Sequence, residues 1–201
     1  MGDPPPPTAV LQAVRALAQG LPIGIPTDTV YGLAVDPFRP GATDRIFAAK
    51  RRPRDVSLPV LVTGIEQAMT VATAVPPLAL ELMARYWPGA LTVVVPAKPG
   101  TGADLGDDEL TVGLRSPDHP VPLALCAAAG PLATTSANHH GEDPLTTAAA
   151  VGASFGDALP LVLDGGVCAG SPSTVVDCTG RELKLLREGR IPWAELQRAG
   201  G

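Results

Sequence analysis

The chain is poor in aromatics, lysine, cysteine and long apolar runs, and each shortage removes a class of function. Phe, Tyr and Trp make up 3% of its 201 residues, too few for the interleaved stacking platform that reads single-stranded nucleic acid. Cys126, Cys168 and Cys178 are an odd set without a CxxC spacing, so neither a zinc ribbon nor a redox pair is expected, and they read as reduced thiols of a cytoplasmic protein. The longest uncharged run, Val121 to His140, is interrupted by Gly130-Pro131 and ends in polar residues, which disqualifies it as a membrane span. The leader MGDPPPP has neither the basic-then-apolar order of a signal peptide nor, with Pro6, a myristoylation pattern. Neither export nor membrane attachment is expected. Fifteen Lys and Arg against twenty Asp and Glu give a net charge of −5, which argues against a protein that mainly coats nucleic acid or anionic lipid.

What is present is apolar surface: 45% hydrophobic residues against 17% charged, enough for a sizeable core in one domain spanning 1–201 with a Pro-rich leader at 1–7. Helical and strand periodicities alternate. Thr8 is positioned to cap a helix that Gly20 stops, strands follow at Ile23–Pro26 and Val30–Val35, and a helix from about Ala42 ends in the basic cluster Lys50-Arg51-Arg52. Further on, the pattern predicts strands at Pro59–Val62, Leu91–Val95, Leu110–Arg115, Pro131–Thr135, Leu161–Leu163, Thr174–Cys178 and Leu183–Leu186. Helices are predicted at Ile65–Ala74, Pro77–Trp87, Val121–Ala129 and Thr146–Ser154. Interleaved elements of this kind imply an α/β class with an open sheet.

Lysine occurs three times, at 50, 98 and 184, so four cations in Lys50-Arg51-Arg52-Pro53-Arg54 stand out. Cations at a helix C-terminus offset its partial negative charge; equally, a Lys point charge beside planar Arg forks suits a polyphosphate. Walker (GxxxxGK[ST]), Rossmann (GxGxxG) and HExxH patterns are all missing. Gly165, Gly166 and Gly170 read as an anion-binding loop or a tight turn. Arg115 and Arg187 end predicted strands, a common place for ligands in α/β sheets. Thr134-Thr135-Ser136-Ala137-Asn138 offers polar side chains for a turn or a ligand edge. His139, His140, Glu142 and Asp143 read as a solvated loop rather than a metal site, His119 before Pro120 as structural, and Cys126 as core.

Taken together, PTDTVYGLAVDP (26–37), IFAAKRRP (46–53), WPGALTVVV (87–95), GLRSPDHP (113–120), TSAN (135–138) and SPSTVVD followed by LLREG closely resemble the YrdC-like family, in order from about Leu21 to Gly189. The resemblance implies a twisted, mixed, open sheet with flanking helices around a positively lined cavity. It also implies an enzyme that condenses L-threonine, bicarbonate and ATP into threonylcarbamoyl-adenylate and pyrophosphate, a product that a tRNA-modifying transferase then consumes. Carried over residue by residue, it places ATP against Lys50, Arg52, Ser136, Asn138 and Arg187, with Lys50 and Arg52 catalytic, and threonine against Thr27, Tyr31, Arg115 and Ser173. Mg²⁺ would ride on the ATP phosphates without protein ligands. The extra C-terminal domain of longer relatives is expected to be missing.

Three positions depart from the family: Leu61 stands where longer relatives place a histidine, Pro144 where they place a serine, and Thr135 where a proline is common before the serine of the Ser-x-Asn signature. Arg51 and Arg54 are additional cations without an assigned role. Two other readings stand beside the synthase: an RNA-binding module in which the basic cluster meets phosphate without chemistry, and a relative that forms carbamoyl-adenylate. Whether the synthase itself makes a weak tRNA contact is left open.

Overall fold

The computed structural model describes residues 4–108, 110–139 and 141–199. Among the described residues, eight strands form one open mixed sheet: β1 (Ile23–Ile25), β2 (Gly32–Val35), β3 (Val60–Leu61), β4 (Leu91–Pro96), β5 (Thr111–Arg115), β6 (Leu132–Ser136), β7 (Thr174–Asp177) and β8 (Lys184–Arg187), in the order β1-β2-β6-β3-β5-β4-β7-β8. The pairs β3/β5 and β4/β7 are parallel and the remaining neighbours antiparallel. Seven α-helices among the described residues flank it: α1 (Pro7–Ala18), α2 (Ala42–Lys50), α3 (Ile65–Ala68), α4 (Pro77–Tyr86), α5 (Pro120–Ala129), α6 (Ala148–Phe155) and α7 (Trp193–Ala199).

The central strands show why a cavity forms on one face. Successive side chains of a strand point to opposite faces. On β4 and β5, Val93, Val95, Val112 and Leu114 enter the main apolar core, together with Ile46 of α2 and Leu82 and Met83 of α4. Their alternates, Thr92, Val94, Thr111, Gly113 and Arg115, line a cavity. A second core of Leu17, Ile23, Ile25, Leu125 and Cys126 joins α1 and α5 to the β1 side. All three cysteines are buried free thiols, and burial pushes Cys126 and Cys178 up to about 12.

Several elements differ from the sequence expectation. Thr8 is not the cap of α1: the helix starts at Pro7 with Pro6 before it and no side-chain cap bond, because a proline in the first turn already carries the helical φ and needs no N–H partner. The helix expected to reach Ala74 stops at Ala68, and the following residues run along β4, with Thr73 N donating to Pro96 O (3.1 Å) and Ala72 bridging Ala97. Leu161–Leu163 contributes a single bridge, Val162 to Gly24, rather than a strand. The segment after Pro192 forms α7, which the sequence reading lacked.

Candidate functional site

A cavity of about 550 Å³ lies over β5, β4 and β7, within the size range of small-molecule sites. Arg52, Arg115 and Arg187 line it, and no acidic residue does so among the described residues. Arginines gathered in one cavity of a chain with net charge −5 make that cavity a place for an anion. The repulsion is felt within the site: burial lowers the Arg52 pKa, with nearby Asp55 pulling it up and Arg187 pushing it further down.

The basic cluster after α2 separates into distinct roles. Arg51 caps the helix in the left-handed region (φ 53°) and faces outward. Arg52 turns into the cavity, donating from Nη1 to Thr135 Oγ1 (3.2 Å) and from Nη2 to Val56 O (2.9 Å), while its buried Nε has no partner among the described residues. Arg54 turns the other way, pairing with Asp44, with Asp104 (2.5 Å) and with Asp107 (3.4 Å), over the ring of Phe47. Arg54 therefore ties the 52–58 loop to α2 and to the 104–107 loop.

Lys50 is 2% exposed and is not among the residues lining the cavity. Its Nζ donates to Ser136 O (2.5 Å), Asn138 O (2.7 Å) and Asn138 Oδ1 (3.0 Å). Burial, followed by the charge of Arg52, lowers its pKa to about 8. Asn138 Oδ1 also accepts from Ser136 Oγ (2.6 Å), and Asn138 Nδ2 donates to His139 O and Glu142 O. The ammonium thus holds the turn that carries Ser136 and Asn138 to the cavity wall. The sequence reading had Lys50 touching phosphate; here its contacts are with that turn.

At the other end, Arg115 is 7% exposed and its five N–H groups are partly committed. Nη2 pairs with Asp28 Oδ1 (2.6 Å), Nη1 donates to Thr29 Oγ1 (2.9 Å) and Nε to Gly89 O (2.9 Å). Burial lowers the Arg115 pKa; Asp28 opposes that, and Arg187 and Arg190 add to it. Arg187 and Ser173 form one unit: Arg187 Nη2 donates to Ser173 O (2.9 Å) and Oγ (3.1 Å), and Ser173 Oγ bonds Thr92 Oγ1 (2.9 Å). Gly189 lets the end of β8 approach this unit, since a Cβ there would sit 2.3 Å from Pro172 O.

Thr27 and Tyr31 line the cavity, but their hydroxyls are engaged elsewhere. Thr27 Oγ1 donates to Val30 O (2.6 Å) and accepts from the Thr29 and Val30 amides, closing the turn between β1 and β2. Tyr31 Oη donates to Gly166 O (2.9 Å) and accepts from Gly165 N (3.3 Å), anchoring the Gly165-Gly166 loop. A Cβ on Gly165 would meet Pro26 at 2.6 Å, so these glycines make a tight turn against β1 and not an anion loop. Leu61, Thr135 and Pro144, the three departures from the family, all line the cavity. His119 caps α5 by accepting from Val121 N (3.2 Å), as expected. His139 packs on Phe155 (4.9 Å), and His140 lies outside the described residues. Asp28, Thr29 and Thr92 were missed. Each sits inside a quoted motif, and a lone threonine in the apolar run LTVVV marked Thr92.

The Sua5/YciO/YrdC family model, described as "Telomere recombination", matches residues 15–189. A Mycobacterium tuberculosis protein, provisionally named threonylcarbamoyl-AMP synthase, is 38% identical over 90% of this chain and 84% of its own length. The threonylcarbamoyl-AMP synthase of Bacillus subtilis is 36% identical, over 94% of this chain and 55% of its own. Among solved structures, Pyrococcus abyssi Sua5 complexed with L-threonine superimposes with a TM-score of 0.87 at 33% identity, covering 94% of this chain and 56% of that one. The chain therefore spans little more than half of these last two proteins.

Proposed function

The chain belongs to the Sua5/YciO/YrdC family, and from that premise we propose that it is an L-threonylcarbamoyladenylate synthase, a nucleotidyltransferase that uses ATP, L-threonine and bicarbonate. One observation carries the reading: among the described residues the cavity wall holds three arginines and no carboxylate, with one arginine braced by a buried acid and two left for phosphate. The threonine amine and bicarbonate combine, with loss of water, into a carbamate. A carbamate oxygen attacks the α-phosphorus of ATP, the bond to the bridging oxygen breaks, and pyrophosphate leaves.

The chain's own contribution is alignment and charge. Arg52 and Arg187 neutralise the leaving pyrophosphate, while Lys50 fixes the Ser136–Asn138 turn against the nucleotide. Arg115 grips the amino-acid carboxylate with the N–H groups that Asp28, Thr29 and Gly89 leave free. Thr29, Thr92 and Ser173 offer hydroxyls at the threonine end, so an analogue without the threonine hydroxyl would leave buried polar groups unpaired. No group of three or more His, Cys, Asp or Glu gathers to hold a cation among the described residues. Mg²⁺ bound through the ATP phosphates would screen their charge.

The adenylate would pass to a transferase that modifies tRNA in the cytoplasm. Mass spectrometry of the complete mixture tests the reading: threonylcarbamoyl-adenylate and pyrophosphate form together, and both vanish when threonine or bicarbonate is omitted. Pyrophosphate release that ignores threonine refutes the substrate assignment.

A further inference from the structure

The three cavity arginines are compensated unequally. Arg115 carries a buried ion pair with Asp28, both side chains less than a tenth exposed (8% and 9%). Asp28 is itself fixed, with Oδ1 accepting from Asp118 N (3.1 Å) and its carbonyl accepting from Arg190 Nη1 (2.9 Å). It stands behind Arg115 and lines a separate hollow of about 260 Å³ with Asp118, Arg190 and Glu195. Neither Arg52 nor Arg187 has a carboxylate within 4.0 Å among the described residues; Asp55 acts on Arg52 only from beyond pairing distance.

Resting on the synthase reading, we propose that Asp28 sets the polarity of the cavity, reserving the Arg115 end for a monocarboxylate and steering oligophosphates to Arg52 and Arg187. The physics lies in how each interaction scales. The repulsion that Asp28 exerts on an anion at Arg115 grows with that anion's charge. The hydrogen bonds Arg115 offers do not grow in proportion. A singly charged amino-acid carboxylate keeps the bonds at small electrostatic cost, whereas a phosphate chain with several charges is turned away. Without Asp28, Arg115 would be the most deeply buried bare cation in the cavity and would compete for the triphosphate, reversing the substrate order or blocking threonine. Asp28 is a positioning residue acting through Arg115.

Titration calorimetry of the whole chain with inorganic pyrophosphate, with and without saturating L-threonine, tests this. In the wild type, threonine changes pyrophosphate affinity less than about twofold. In Asp28→Asn, pyrophosphate binds at Arg115 as well, and threonine weakens its binding at least fivefold. Competition absent from a folded Asp28→Asn protein overturns the proposal and leaves Asp28 a brace. A second comparison, which does not rest on the single Asp28→Asn variant, uses Arg115→Gln, which uncovers the Asp28 charge and lowers pyrophosphate affinity several-fold. The paired variant Asp28→Asn/Arg115→Gln restores affinity to within about twofold of wild type. Equal losses in the single Arg115→Gln and paired variants overturn it. A wild type that binds neither pyrophosphate nor threonine instead refutes the synthase reading itself, and the polarity with it.

Discussion

The two ends of the cavity use the same side chain in opposite electrostatic settings. At one end Arg52, and between the ends Arg187, which acts on both Arg52 and Arg115, hold their charge without a paired carboxylate, sharing hydrogen bonds with Thr135, Val56 and Ser173. At the other, Arg115 is buried against Asp28 and braced by Thr29 and Gly89. An unpaired cation favours whatever anion carries the most charge, while a paired one offers mainly direction. The difference teaches that chemistry can be ordered along one cavity by compensating some charges and not others.

The comparison breaks most severely at the uncompensated end. Arg52→Ala should lower pyrophosphate formation by about 10²–10³-fold, the range for losing a group aimed at developing charge, measured as the initial rate at saturating threonine. A loss below about tenfold would make the two ends equivalent. Arg115→Ala should instead raise the threonine KM by about 10–100-fold, the worth of a hydrogen bond to a charged group, and raise the ATP KM only several-fold, through the Asp28 charge it uncovers. Equal shifts in both constants would erase the distinction.

The pH dependence sharpens the comparison through Lys50. Its ammonium holds the Ser136–Asn138 turn, so kcat/KM for ATP should fall about tenfold per pH unit above about 8. Stability moves the other way. Since the folded pKa lies below the unfolded 10.5, the unfolded chain binds more protons between about 8 and 10.5, and this group's contribution to stability rises with pH there. Activity and thermal unfolding followed together check both signs; a parallel decline would mean alkaline unfolding rather than loss of the Lys50 proton. The smallest effect belongs to Thr92→Val, which removes the hydroxyl on Ser173. It should cost about 1 kcal/mol of stability and raise the threonine KM more than the ATP KM.

Much of this was legible in the sequence because strand alternation and motif order are local. The floor of the cavity follows from Thr111, Gly113 and Arg115 sharing one face, and every carried-over residue except Lys50 lines the cavity. What was not legible depends on long-range contacts. The basic cluster reads as one patch along the chain. Only packing sends Lys50 under the Ser136–Asn138 turn, Arg52 inward, and Arg54 out to Asp44, Asp104 and Asp107. Asp28 sits in a quoted motif, but its role depends on Arg115, 87 positions away. The helix expected over Ile65–Ala74 fails for the same kind of reason, since the end of β4 captures Ala72 and Thr73.

A crystal structure with L-threonine and a non-hydrolysable ATP analogue tests the ordering of the cavity most directly. The account predicts the amino-acid carboxylate on Arg115 and the phosphate chain between Arg52 and Arg187. Phosphate oxygens on Arg115, or a carboxylate seated on Arg52, would contradict it.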